Sequence, residues 1–488
     1  MGVVKRQGIK NTISSYVGIL LGFVSLLIIQ PKFLKPEEIG LARVLFAFAT
    51  LISSFISLGV ANVTLKYFPY FKNERNGHHG FLGLVFLFPL IGLLLSTICL
   101  VVFKEFIIAQ YRIQSPLFID YYSLILPFSV FLSCNTVIST YLIAQFKSTV
   151  PSYLSDVYVR VAYIILIVCY HFKFMSLPLF ITVYVGIYAI QLLAMILYMY
   201  RVDNPVLVPD WQYAKSKNLK EMLLFGFMLS FTAIAVLGLK TLDSVLLGKF
   251  LPLSVVGVYA IVSFIPTVIE APYNALDRVV TAKVSHALAE NNIEDLRKTY
   301  YQSVKYLTLI GGLLFVLVNT NIDDLLSIIG KDYANAGKIV WIISIGSLMN
   351  MMGGANNSII MYASRYWVAA SISVVLVVIT FGLNMLLIPR WGVDGAAFST
   401  AISWGGYSAI RVYMVWKKFG FQPYNIGILK NLVLVVFCVL ASFILPQVNN
   451  HLLSIFLKTA LCATFYAIGI FYTQTAPELF ERLKQLRP

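Results

Sequence analysis

The sequence predicts an all-α polytopic membrane protein, with about fourteen transmembrane helices in two six-helix lobes plus two C-terminal helices. Three observations predict it. Long apolar runs follow one another almost end to end, each near the roughly 20 residues a helix needs to cross a bilayer. Hydrophobic residues are 59% of the chain and charged residues only 12%, about half the charged share of a soluble domain. A short motif at residue 33 returns 217 positions later.

The runs cover 12–30, 40–62, 80–103, 119–144, 153–172, 177–200, 221–240, 252–272, 303–320, 337–360, 366–388, 394–416, 427–446 and 452–473. The first is too long for a signal peptide and lacks a small-residue cleavage site. A soluble helical protein would need polar faces at 3.6-residue spacing, and most of these runs have none. An even count puts both termini on one side. Short cytoplasmic loops collect Lys and Arg. With the N-terminus inside, the inner segments hold 23 of the 37 Lys and Arg and the outer segments 11. Both termini are therefore expected in the cytoplasm.

The same scatter accounts for the net charge of +16. There is no long basic arm and no aromatic-basic surface module, so nucleic acid is not an expected partner. Anionic membrane lipids are. Cys99, Cys134, Cys169, Cys438 and Cys462 are far apart in apolar runs and lack metal-ligand spacing. No metal or cofactor is expected. The adjacent His78 and His79 read as solvated residues of a polar loop.

Phe33-Leu-Lys-Pro-Glu-Glu-Ile-Gly40 precedes one run, and Phe250-Leu-Pro-Leu-Ser-Val-Val-Gly257 precedes another. The offset spans six runs, an even number, so the two copies share one orientation in the membrane. Parallel repeats of this kind are a transporter architecture with the substrate between the halves. The domain reading is a lobe over 1–220, a second over 221–420, and two further helices with a cytoplasmic tail over 421–488. The polar stretch Tyr273–Tyr301 suits an amphipathic helix at the inner surface.

An ionised side chain at mid-membrane costs about 2.5–3.5 kcal/mol on insertion scales and usually faces a cavity. Arg43 lies just inside span two. Asp156 and Arg160 sit four apart on span five, the favourable acid-then-base order. Lys240 and Asp243 are three apart near the outer end of span seven, Glu270 is near the inner end of span eight, and Arg411 is on span twelve. Snorkelling to the interface is the competing reading for Arg43, Lys240 and Arg411. A salt bridge that only fixes a helix end competes for Asp243. Lys66, Arg278 and Arg365 make the inner ends of the spans more basic.

Span twelve opens with Gly392-Val-Asp-Gly-Ala-Ala-Phe-Ser-Thr400. Its Ala397, Ala401 and Gly405 form a small-residue stripe that lets a neighbouring helix approach. This pattern resembles the Wzx-type polysaccharide and O-antigen flippases of the multidrug/oligosaccharidyl-lipid/polysaccharide exporter superfamily. Pro36-Glu-Glu-Ile-Gly40, Asp243-x-x-Leu-Leu-Gly-Lys-Phe-Leu251 with Val256-Gly-Val-Tyr259, and the stretch after span eight to Asn291 are similar to that family too.

The resemblance implies a polyprenyl-pyrophosphate-linked oligosaccharide as cargo. The chain would be a multi-pass protein of the bacterial inner membrane, with polysaccharide assembly proteins as candidate partners. Arg43, Arg160, Lys240, Arg278 and Arg411 would bind the pyrophosphate through charge-assisted hydrogen bonds. Asp243 and Glu270 are the candidate sites for a coupling proton or sodium ion. Two alternatives stay open. A drug-type exporter of the same superfamily should have an acidic interior, whereas this one leans basic. A glycan polymerase or ligase should have a large outer loop and a catalytic motif, and the sequence has neither.

Overall fold

The computed structural model describes residues 2–217, 219–363, 366–444 and 450–473, which contain helices and no strand. Nine helices among them are long and apolar enough to cross a membrane, or eleven if each of two bent pairs is one span. The expected polytopic helical class is what is found.

Contacts divide the chain into two compact units, Met1–Gly257 and Val258–Pro488. In the first, α1 (Gly2–Val24) continues through a π-helical turn, Ser25–Ile29, into Gln30–Phe33. Next come α2 (Pro36–Ser57), α3 (Val60–Phe71), α4 (Phe81–Val102), α5 (Ile125–Ala144), α6 (Thr149–His171), α7 (Leu177–Val202), α8 (Leu219–Phe250) and α9 (Leu253–Val262), which crosses the unit boundary. The helix α6 contains a second π-helical turn, Leu154–Tyr158. Pro36 at the first turn starts α2, where its missing N–H costs nothing.

The second unit holds α10 (Thr267–Ala289), α11 (Ile293–Thr320), α12 (Ile322–Ile329), α13 (Gly337–Met351), α14 (Asn356–Ala363), α15 (Tyr366–Phe419), α16 (Ile426–Ser442) and α17 (His451–Thr473). The 54 residues of α15 reverse at Gly392, with φ 56 and ψ −131, a conformation that only glycine adopts without strain. Its two arms lie against each other. Thr380 Oγ1 donates to Ser403 Oγ at 2.8 Å, and Ser399 Oγ donates to the Thr380 carbonyl at 3.3 Å.

The apolar pattern is that of a protein dissolved in lipid. On α4, Leu90, Ile91, Leu94, Leu95 and Ile98 are exposed while Phe81, Leu84, Val85 and Phe88 are buried. Exposed apolar surface of that extent does not occur on a soluble monomer. The small-residue stripe of α15 acts as expected: a Cβ on Gly346 of α13 would lie 2.6 Å from Ala401 Cα, so the two backbones touch.

The expectation for the histidine pair is corrected. Residues 77–80 form a left-handed turn, with φ of 51, 57, 52 and 66. His78 is only 2% exposed. Its Nδ1 accepts from the Asn73 N–H at 3.1 Å, so Nε2 carries the proton and donates to Asp203 Oδ1 at 3.3 Å. His79 stacks on Tyr213 with ring centroids 3.7 Å apart. The Asp210 N–H donates to the His79 carbonyl at 3.1 Å, and a Cβ on Gly80 would meet the Val208 carbonyl at 1.9 Å. The segment after α7 is thereby strapped to the turn before α4.

Asp203 is drawn into this strap. Burial pushes its carboxyl up, but hydrogen bonds from His78, Tyr141 and Gln145 outweigh that and hold it well below the usual carboxylate range.

Candidate functional site

Arginine is the most demanding side chain to bury in a membrane helix, so its surroundings indicate what it is for. In the first unit, the π-helical turn of α6 shifts the backbone register. The Val159 N–H bonds to the Leu154 carbonyl five residues back. The Asp156 carbonyl is left to accept from Arg160 Nη1. The Asp156 carboxylate contributes less than its spacing suggests. Its Oδ1 stands 3.9 Å from Arg160 Nη1, and its Oδ2 accepts from Ser15 of α1 at 3.0 Å. The pairing expected from the four-residue spacing exists, with the backbone as the closer partner.

Arg43 of α2 is half-buried, and its Nε donates to Ser244 Oγ on α8 at 3.1 Å. Asp243, beside that serine, is 9% exposed. Arg43 therefore reaches a neighbouring helix rather than snorkelling along its own.

In the second unit Arg411 is 4% exposed. Its Nη2 donates to Asn350 Oδ1 at 3.0 Å, and its guanidinium carbon lies 3.9 Å from the centre of the Tyr407 ring. Its Nε donates to the Tyr407 carbonyl at 3.4 Å. These partners are neutral, and no described carboxylate lies within ion-pair distance of it. Asn350 is delivered by the end of α13. The chain breaks there over 352–355, with Gly354 at φ 56, and the Ala355 N–H finds Ser303 Oγ at 3.0 Å. The glycines of the break let α13 end against α15.

Glu270 is half-buried on α10. The side chains of Lys240 and Arg278, and the whole of Arg365, lie outside the described residues. The structure thus puts Arg43 beside the Asp243–Ser244 pair and Arg160 on Asp156, with Arg411 in the other unit. Sequence reasoning missed Asn350 and Tyr407 around Arg411, and Ser15 beside Asp156. Of these, only Tyr407 was reachable from spacing, four residues before Arg411 on one helix face.

Helices of this length and apolar character define a polytopic membrane protein. The fold is that of the superfamily containing the lipid flippases and the multidrug exporters. The chain matches a structure described as the lipid II flippase MurJ, inward closed conformation, with TM-score 0.72 and 14% identity over 96% of this chain and 99% of that one. An inward-facing multidrug resistance MATE family transporter of the MOP superfamily matches with TM-score 0.58 and 13% identity, over 83% of this chain and 98% of that one. The Vibrio cholerae MATE transporter VcmN in its bent form matches with TM-score 0.53 and 13% identity, over 86% and 98%. At these identities the likeness is one of fold. The sequence gives the family. Residues 4–280 match the polysaccharide biosynthesis protein family, and the chain belongs to it. Residues 229–389 also match the MatE family. No curated protein matches the chain in sequence.

Proposed function

We propose that the protein is a flippase. It carries polyprenyl-pyrophosphate-linked oligosaccharide units across the bacterial inner membrane for surface polysaccharide synthesis, as O-antigen, capsule or exopolysaccharide. The observation that carries this reading is Arg411: a buried guanidinium whose partners are an amide, a backbone carbonyl and a ring. A buried cation with only neutral partners keeps most of its desolvation cost, and an anionic ligand offsets it. Pyrophosphate is such an anion, and the guanidinium fork matches its oxygens.

Family membership supports the polysaccharide pathway, and the MurJ-like fold supports a lipid-linked cargo. The polar glycan cannot cross hydrocarbon unaided, so it passes through a cavity that opens alternately to each side while the prenyl tail stays in lipid. The lobes of that cycle are 1–220 and 221–420. Arg43, Arg160, Lys240, Arg278 and Arg411 bind the head group, and Asp243 or Glu270 couples transport to protons or sodium. The chemistry is movement without bond making, so the protein is not an enzyme. Both termini face the cytoplasm.

The test is flipping in proteoliposomes with a fluorescent polyprenyl-pyrophosphate glycan. The wild-type protein flips it, and Arg411→Ala loses at least tenfold in rate, roughly the loss of one charge-assisted contact. Transport of organic cations instead of the glycan points to the drug-type exporter and overturns the proposal.

A further inference from the structure

The segment between α7 and α8 carries an apolar run that no helix buries. In Asn204-Pro-Val-Leu-Val-Pro-Asp-Trp211, Val206, Leu207 and Val208 are 44%, 51% and 75% exposed, and Trp211 is 49% exposed. The backbone is nevertheless fixed. The Val206 N–H donates to the Gly77 carbonyl at 3.4 Å, and the Asp210 N–H to the His79 carbonyl at 3.1 Å. Three glycines receive it. A Cβ on Gly77 would stand 3.0 Å from the Val206 nitrogen, and one on Gly80 or Gly83 would overlap the Val208 or the Leu207 carbonyl. A run held open in this way does not fold back to bury itself, so something outside the segment covers it.

Its position says what that is. Gly83 lies in the first turn of α4, on the face that carries the exposed Leu90, Leu94 and Ile98, at spacings of seven, four and four residues. That face meets lipid, and the apolar run continues it past the end of the helix. Irregular backbone does not enter the hydrocarbon core exposed to lipid, where its polar groups would go unpaired, so the run sits at the boundary between head groups and acyl chains. Tryptophan is enriched at that level. The charges agree. Arg201, Lys215 and Lys217 flank the run, are exposed, and make no ion pair with a described residue. The two carboxylates of the stretch are taken by protein donors: Asp203 by Tyr141 and Gln145, each at 2.7 Å, and Asp210 by the Tyr213 N–H at 2.9 Å. The charge left to meet a partner is positive.

We propose that residues 205–211 are an interfacial anchor for anionic phospholipid. Val206, Leu207, Val208 and Trp211 insert into the leaflet at the ends of α4 and α7, and Arg201, Lys215 and Lys217 bind the lipid phosphates there. The anchor fastens those two helix ends, already joined through Gly77, Gly80 and Gly83, to the membrane surface. It acts whatever the cargo is, so it stands apart from the flippase reading.

The test attaches a nitroxide through Val208→Cys in the full-length chain, with its 5 cysteines changed to serine, in phosphatidylcholine vesicles with or without phosphatidylglycerol. Gly80 meets the Val208 carbonyl and not its side chain, so the label leaves the seat intact. Leu207→Cys is a second position of the same kind, and the exposed, polar Ser216, as Ser216→Cys, is the aqueous reference. At 207 and 208 the label should collide more often with oxygen, which concentrates in lipid, than with a water-soluble nickel chelate, and the order should reverse at 216. Phosphatidylglycerol should draw the labels at 207 and 208 deeper, and this shift should vanish when Arg201→Gln, Lys215→Gln and Lys217→Gln are combined. Labels at 207 and 208 that prefer the nickel chelate would put the run in water. Labels shielded from both reagents would put it under another protein. Either result overturns the inference. So does a phosphatidylglycerol shift that is missing in the chain with its native basic residues, or one that survives the triple substitution.

Discussion

Gly40 and Gly257 lie against each other, backbone to backbone. A Cβ on Gly40 would fall 1.9 Å from the Leu253 carbonyl oxygen and 3.1 Å from the Gly257 nitrogen. One on Gly257 would fall 1.9 Å from the Pro36 carbonyl oxygen and 3.0 Å from the Gly40 nitrogen. The contact is reciprocal. These are the equivalent glycines of the two copies of the repeated motif, so the repeat is self-complementary: each copy is the other's binding surface.

A methyl group at either position must push two backbones apart. Gly40→Ala or Gly257→Ala is expected to destabilise by about 1–3 kcal/mol, the usual cost of overpacking. The double variant should cost less than the sum, because the first substitution has already opened the gap for the second. Thermal unfolding in detergent of the two single variants and the pair checks this. Strict additivity would mean that the two glycines do not share a contact.

Asp203 gives a pH prediction. Its folded carboxyl sits below the usual range, with burial opposing and hydrogen bonds from His78, Tyr141 and Gln145 prevailing. An unfolded Asp titrates near about 3.9. A depressed folded value contributes stability that is present above that pH and is lost as pH falls through the folded value. The melting temperature of the wild-type protein should therefore fall below about pH 4 more steeply than that of Asp203→Asn. Asp203→Asn should melt lower than the wild type at neutral pH. Parallel pH profiles would remove Asp203 from the strap's energetics.

Topology follows from the charge split. Reporter fusions near Lys331, in the segment between α12 and α13, and after Pro488 should report opposite sides of the membrane. A common side for both would break the fourteen-span threading and, with it, the assignment of inner and outer ends.

The helices were legible because lipid imposes one rule on all of them: about 20 apolar residues per crossing. The reversal at Gly392 lay between two apolar runs and was visible as a boundary. Partners across the chain were not visible. Nothing in the sequence near His78 shows that Asp203 will meet it 125 residues later. The same holds for Arg411, whose partner Asn350 comes from the end of a different helix. The repeated motif was legible, but the mutual contact of Gly40 and Gly257 was not, since a repeat reveals likeness and not adjacency.

Asp243 is the carboxylate proposed above, with Glu270, to couple an ion. It is 9% exposed, adjacent to Ser244, and Ser244 receives the Nε–H of Arg43. A buried carboxylate one residue from an arginine contact responds to both: binding a proton or sodium changes the local charge that Arg43 experiences, and an anion drawn to Arg43 changes the field at Asp243. An ion biases transport only if its affinity differs between the two states of the cycle. Asp243→Asn keeps the shape and removes the charge. The expected result is that flipping of the lipid-linked glycan in proteoliposomes loses its dependence on the imposed ion gradient, while equilibration without a gradient persists. Arg43→Gln should weaken glycan binding without abolishing that dependence. If the Asp243→Asn protein keeps its full response to the gradient, the carboxylate serves only the end of α8, and Glu270 on α10 becomes the residue to change next.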